Sequence, residues 1–180
     1  MPNIDTLKPF VVIIEGCDKT GKSSLALKLM EDFGYKNYVH LGSPTKEEQD
    51  DPLEFHMKHI RQIKERNVPT VIDRFHLSNL VYGRLLKHKH LNKTQLETIE
   101  KELKSLKASI IFTWRDQEKI KESFITDKET LINPSMIKPI EKEYWHNLYY
   151  TDIPYITYNF EVDGPMTSKL LTQATKPVYG

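Results

Sequence analysis

The stretch that most constrains the fold is Phe10-Val-Val-Ile-Ile-Glu15, followed at once by Gly16-Cys-Asp-Lys-Thr-Gly21-Lys22-Ser23. A short apolar run, β-branched in its middle, is too brief for a buried helix. It suits a strand covered on both faces, the habit of parallel sheets. Gly16 to Gly21 interrupts it, and Lys22 to Phe33 then sets Leu25, Leu29 and Met30 at helical spacing. The segment from Gly16 to Ser23 matches G-x-x-x-x-G-K-[ST] in full, and a strand before and a helix after is the context that gives the motif meaning. Its glycines let successive backbone N–H groups converge on a phosphate, and the helix N-terminus adds its positive end. The spacing makes Gly16, Cys17, Asp18, Lys19, Thr20, Gly21, Lys22, Ser23 and Ser24 candidate ATP contacts. Lys22 reaches the β and γ phosphates, and the Ser23 hydroxyl is a candidate Mg²⁺ ligand.

The rest of the chain repeats the alternation. Strands are predicted at 38–41, 69–73, 108–114 and 154–158. Helices are predicted at 47–66, 76–90, 93–106 and 116–124, and from Ser135 to about Tyr150. Strands alternating with helices imply an α/β three-layer sandwich with a five-stranded parallel sheet and the topology of a P-loop NTPase. Residues 1–162 are expected to form one domain, with a lid around 121–134. Residues 163–180, rich in Gly, Pro, Ser and Thr, are expected to be a partly disordered tail.

Composition narrows the class. Lys plus Arg number 26 against 25 Asp plus Glu, and a net charge of +1 argues against a protein that coats nucleic acid. No apolar run approaches the roughly 18–20 residues that span a bilayer. Cys17 is the single cysteine, so no internal disulfide forms and a reducing cytoplasm is the expected compartment. Its place in the phosphate loop suggests that oxidation or alkylation blocks nucleotide binding.

Asp73-Arg74 ends the third strand. In an open parallel sheet, ligands sit beyond the carboxyl ends of the strands, which brings this pair near the loop. A carboxylate there holds the Mg²⁺ shell or accepts a proton from a sugar hydroxyl, and Arg74 can fork onto a phosphate.

With Phe10–Ser24 and Asp73-Arg-Phe-His-Leu-Ser-Asn-Leu-Val-Tyr82 in view, the chain resembles the thymidylate kinase family of P-loop nucleotide kinases, phage- or virus-like members above all. The likeness runs to about residue 158. It implies Mg²⁺-dependent transfer of the γ-phosphoryl of ATP to a deoxynucleoside monophosphate, dTMP or a modified pyrimidine. It further implies that Lys22, Lys19, Arg74 and Asp73 are the catalytic residues. Asp18 would take the 3′-hydroxyl of the acceptor, and Lys19 would neutralise the transferred phosphate. Asp73 and Arg74 would position the acceptor, with Ser23 and Asp73 toward the metal. Tyr82 would fill the space of a 2′-hydroxyl, or is a core tyrosine; Phe55 would stack on the base, or is a core aromatic. The likeness also implies a homodimer through the helices after Asp73.

One departure stands out. The family carries an Arg before Glu-Pro at the end of the second strand, where this chain has His40-Leu-Gly-Ser-Pro44. Arg74 alone, or Lys46, Lys58 or Arg61, could replace it, or the acceptor differs. The alternatives are a kinase for a deoxynucleoside or for a hydroxylated base in DNA, and, from another class, a nucleotide-dependent binding or switch module. The last lacks an Asn-Lys-x-Asp signature, since Asn92-Lys93-Thr94 has no Asp. Glu15 precedes the loop and does not discriminate among these.

Overall fold

A computed structural model describes residues 8–126 and 133–174. Five strands form one parallel sheet: β1 (Val11–Glu15), β2 (Asn37–His40), β3 (Thr70–Asp73), β4 (Ala108–Thr113) and β5 (Tyr155–Tyr158), in the order β2-β3-β1-β4-β5. The central strand β1 is buried at every residue, as its unbroken apolar run requires. Crossover helices cover both faces: α1 (Lys22–Asp32), α2 (Lys46–Asp50), α3 (Pro52–Arg66), α4 (His76–Leu85), α5 (Lys93–Ser105), α6 (Gln117–Thr126), α7 (Ile137–Tyr150) and α8 (Ser168–Gln173). The alternating residues of β1 feed two cores. Val11 and Ile13 pack with α3, α4, α5 and α7, while Val12 and Ile14 pack with α1 and α8. No helix among the described residues is long and apolar enough to cross a membrane.

Several sequence expectations shift, each for a local reason. The helix expected over 47–66 is two: α2 ends at Asp50, and Asp51 caps α3 by accepting the Glu54 N–H, with Pro52 at its first position. The helix expected to 90 stops at Leu85, and 88–90 are loop. Asn133, rather than Ser135, caps the 3-10 turn Pro134–Met136 ahead of α7, its side chain accepting from the Ser135 N–H. The expected tail is built into the domain as far as residue 174: Thr167 caps α8, and Met166, Leu171 and Ala174 are buried. Of the expected lid, 121–126 belong to α6, and 127–132, with Lys128, lie outside the described residues. α4, the first of the helices after Asp73, is buried from His76 to Gly83, largely against α7. On α7 the aromatic cluster divides: Tyr144 is fully buried, whereas Trp145, Tyr149 and Tyr150 are exposed.

His56 on α3 is buried edge-on to Phe75, with ring centroids 4.7 Å apart. Its Nδ1 lies 2.6 Å from the Pro52 carbonyl. Burial pushes its pKa down to about 4. The folded chain therefore keeps His56 neutral where the unfolded chain, near 6.5, begins to bind a proton. Stability is expected to fall as pH drops from about 6.5 toward 4, by up to about 3 kcal/mol from this group. Urea unfolding of wild type and His56→Phe across that range checks this; the variant should show the shallower dependence.

Candidate functional site

The cleft lies beyond the carboxyl ends of β1, β2 and β3. Glu15 ends β1 and is fully buried. Its Oε1 accepts the backbone N–H groups of Phe75 (3.0 Å), Leu77 (3.2 Å) and Ser78 (3.4 Å), and its Oε2 accepts the Ser78 hydroxyl. The carboxylate thus caps α4, whose own cap residue, Phe75, offers no side-chain acceptor. Burial raises its pKa, opposed by His76 and by these donors. With both oxygens engaged, Glu15 is withdrawn from the cleft.

Gly16 follows with φ +144°, and a Cβ there would stand 2.3 Å from the Thr113 carbonyl oxygen. The loop is seated on β4 at that point, and only glycine allows the approach. Thr113 Oγ1 donates to the Glu15 carbonyl (3.1 Å) and lies 2.7 Å from Thr20 Oγ1. Gly21 (φ +87°) caps α1 in the left-handed region. Lys22 Nζ is folded across the loop onto the Cys17 carbonyl at 2.6 Å, and burial lowers its pKa. A buried ammonium with a backbone carbonyl as its hydrogen-bond acceptor is well placed to take a phosphate instead.

Sheet register brings the opposite wall. Asp73 is paired with Ile14 on one side and His40 on the other. Its Oδ2 receives Ser23 Oγ (3.3 Å), Tyr38 OH (3.1 Å) and His40 Nδ1 (3.1 Å), while Oδ1 is buried without a partner among the described residues. Burial, with Asp73 adding to it, pushes Tyr38 up to about 12, so it stays a donor. A serine hydroxyl and a carboxylate with a spare oxygen are the hard donors Mg²⁺ takes. Among the described residues no cluster of three or more His, Cys, Asp or Glu forms a metal cage. A Mg²⁺ at Ser23 and Asp73 would therefore complete its shell with phosphate oxygens and water.

Arg74 (φ +68°) turns back across the cleft to pair with Asp18 and lies over the Tyr82 ring, 5.3 Å from its centroid. Lys19, also left-handed (φ +65°), borders the same cleft. Structure therefore brings together Asp18, Lys19, Lys22, Ser23, Ser24, Asp73, Arg74 and Tyr82 around a volume of about 840 Å³. That lies toward the upper end of ligand pockets, roughly 300–1,000 Å³, and suits two ligands side by side. Phe55 is not among them: it is buried on α3 against His56 and His59. Lys58 and Arg61 are spent on exposed pairs with Glu47 and Glu54 on α2 and α3, and Lys46 does not border the cleft. The wall where an Arg was expected is His40, Gly42, Ser43 and Pro44.

Two contributors escaped the sequence reading. His88, within the helix expected over 76–90, borders the cleft from the loop after α4, its backbone N–H bonded to the Gly83 carbonyl at 2.8 Å. Arg115, after β4, stacks on Phe160 (5.5 Å) and pairs with Glu161 (2.9 Å), and Phe160 stands beside Gly21. Position just past a strand's carboxyl end is the signal that could have flagged Arg115.

Sheet order, phosphate loop and crossover helices together define the P-loop kinase fold. Solved structures agree. The YorR protein from Bacillus subtilis, in complex with phosphorylated GDP, superimposes with a TM-score of 0.71 at 24% identity over 91% of each chain. Polyphosphate kinase 2 from Arthrobacter aurescens TC1 gives 0.63 at 13% identity, covering 96% of this chain and 71% of that one. A gluconokinase from Sinorhizobium meliloti 1021 gives 0.54 at 12%, covering 93% and 90%. No family model matches the sequence, and no curated protein matches it. Kinases named for such different substrates share the fold, so the acceptor has to be argued from the cleft.

Cys17 is 4% exposed and burial pushes its thiol up to about 11, which leaves about one thiolate in ten thousand at neutral pH. Burial and a raised pKa both disfavour reaction at this thiol, which sets them against the sensitive thiol that the loop position suggests. Iodoacetamide at pH 7.5 should leave the native protein unmodified while labelling it fully in urea, as intact mass would record.

Proposed function

We propose that the chain is a kinase that transfers the γ-phosphoryl group of Mg-ATP to a deoxynucleoside monophosphate. The observation that carries this reading is the facing of the phosphate loop and the Asp18–Arg74–Tyr82 wall across one cleft, with Glu15 withdrawn. A hydroxyl acceptor needs a base, and Glu15, the buried carboxylate just before the loop, is committed to α4. A monophosphate is already an anionic nucleophile and needs only positioning and charge stabilisation.

Roles follow from placement. The loop amides and Lys22 hold the donor phosphates. Ser23 and Asp73 would hold Mg²⁺, which when bound neutralises phosphate charge. Lys19 stands where charge spreads over the equatorial oxygens in transit. Arg74 forks onto the acceptor phosphate, which releases Asp18 toward the 3′-hydroxyl. Tyr82 closes the floor beneath the sugar and disfavours a 2′-hydroxyl. The thymidylate kinase likeness suggests dTMP or a modified pyrimidine, but the base is read by the wall behind Tyr82.

Coupled ADP production with Mg-ATP tests this against dTMP, dUMP, 5-hydroxymethyl-dUMP, dCMP, dGMP, dAMP, UMP, thymidine and duplex DNA. Turnover is expected on a deoxynucleoside monophosphate without any partner protein, and far less on UMP. Turnover confined to thymidine or DNA would replace the acceptor class. ATP binding without turnover on any of them points to a binding module. Lys22→Ala should abolish turnover. Lys19→Gly should lower kcat by about 10³-fold with a smaller rise in KM; an unchanged kcat removes Lys19 from the transfer step.

A further inference from the structure

The cleft carries apolar side chains beyond the sugar position. Leu86 closes α4 one turn after Tyr82, and residues four apart on a helix share a face. Leu86 is 41% exposed, a large apolar side chain left open where it borders the cleft. Met136, from the 3-10 turn ahead of α7, and Pro44 border the same volume. With Tyr82, these are the apolar side chains among the described residues of the cleft wall. An apolar wall with a few placed polar groups is what holds a flat organic ring.

His88 supplies such a polar group two residues after Leu86, and the loop that carries it is tightly built. Lys87 (φ +56°) takes the left-handed position just past the helix, which glycine usually fills. The His88 N–H returns to the Gly83 carbonyl at 2.8 Å, the bond of a Schellman turn. A Cβ on Gly83 would stand 2.5 Å from the His90 Cβ, so the loop lies directly on α4. Asn79 on α4 accepts the Leu91 N–H at 2.9 Å and donates to Glu48, buried on α2, at 2.7 Å. Lys89 Nζ donates to the Asp50 carbonyl. The loop is thereby fastened both to α4 and to α2.

The two nitrogens of the His88 ring differ. Nδ1 is enclosed and has no partner among the described residues. Nε2 is not enclosed and makes no hydrogen bond among them. A buried N–H without an acceptor is the rarer and costlier arrangement, so the neutral ring keeps its proton on Nε2. The open nitrogen of His88 is therefore a donor.

We infer that Leu86, Met136 and His88 form the subsite for the acceptor's base, and that His88 selects a base with a carbonyl oxygen at C4 of a pyrimidine or C6 of a purine. This rests on the deoxynucleoside monophosphate reading above and deepens it. The ring lies against Leu86 and Met136 past Tyr82, and the His88 Nε2–H donates to the carbonyl. Uracil, thymine, guanine and hypoxanthine carry that oxygen. Cytosine and adenine carry an amino group in its place, which sets donor against donor.

Matched pairs isolate the one group: dUMP against dCMP, and dIMP against dAMP, titrated calorimetrically into the full chain. The carbonyl member of at least one pair should bind on the order of tenfold tighter or better, since the mismatched member leaves donors unpaired. His88→Leu should bring the ratio to near one by weakening the carbonyl member. His88→Gln can present either its NH₂ or its oxygen, and should bring the ratio to near one while keeping affinity for both members. An unchanged ATP affinity and circular dichroism spectrum certify the fold of each variant, and either one suffices if the other does not fold. Equal binding within both pairs, tighter binding of the amino members, or a ratio untouched by substitution at His88 overturns the subsite while leaving the monophosphate reading in place. If no monophosphate binds while ATP does, both fall.

Discussion

One buried carboxylate sets the geometry of the cleft. Glu15 ends the central strand, and the phosphate loop begins at the next residue. Its side chain caps α4 by accepting the N–H groups of Phe75, Leu77 and Ser78. The donor loop and the Asp73-Arg74 corner are thereby fastened to each other through one side chain. Four donors converge on a group with no water around it, where hydrogen bonds are strong and a missing partner is expensive.

Around this anchor the backbone is held in unfavourable states. Lys19 and Arg74 are both left-handed without being glycine, at a cost on the order of 1 kcal/mol or more each. Arg74 is kept there by its N–H to the Ile14 carbonyl (2.9 Å), by Asp18 and by the Tyr82 ring. Lys19 is turned toward the cleft by a loop that Thr20, Thr113 and Lys22 stitch to its own carbonyls and to β4.

Much of the architecture was legible. The run from Phe10 to Glu15 identified a strand buried on both faces, and G-x-x-x-x-G-K-S marked the loop and the start of α1, because period and motif are local properties. The Asp73-Arg74 corner was legible too, since strand ends in a parallel sheet converge on one edge. Phe55, His88, Glu48 and the segment after Gly164 were not. Phe55 and Glu48 lie on adjoining helices with similar polar surroundings, and one turns to the core and the other to the cleft wall only when α2 and α3 break at Asp51-Pro52. The polar composition after residue 163 hid the few apolar residues, Met166, Leu171 and Ala174, that α8 buries.

The sequence by itself determined the order of strands and helices, the parallel sheet and the phosphate loop, because each follows from short-range periodicity and from glycine's freedom at Gly16 and Gly21. Only the tertiary structure decided which charged side chains face the cleft. Glu15 is consumed by α4, Lys58 and Arg61 by surface pairs, while Lys19, Lys22, Arg74 and Glu48 reach the cleft or its wall. The physical reason is that a side chain's partner and its desolvation are set by residues far away in the chain, and spacing along the sequence carries no record of them.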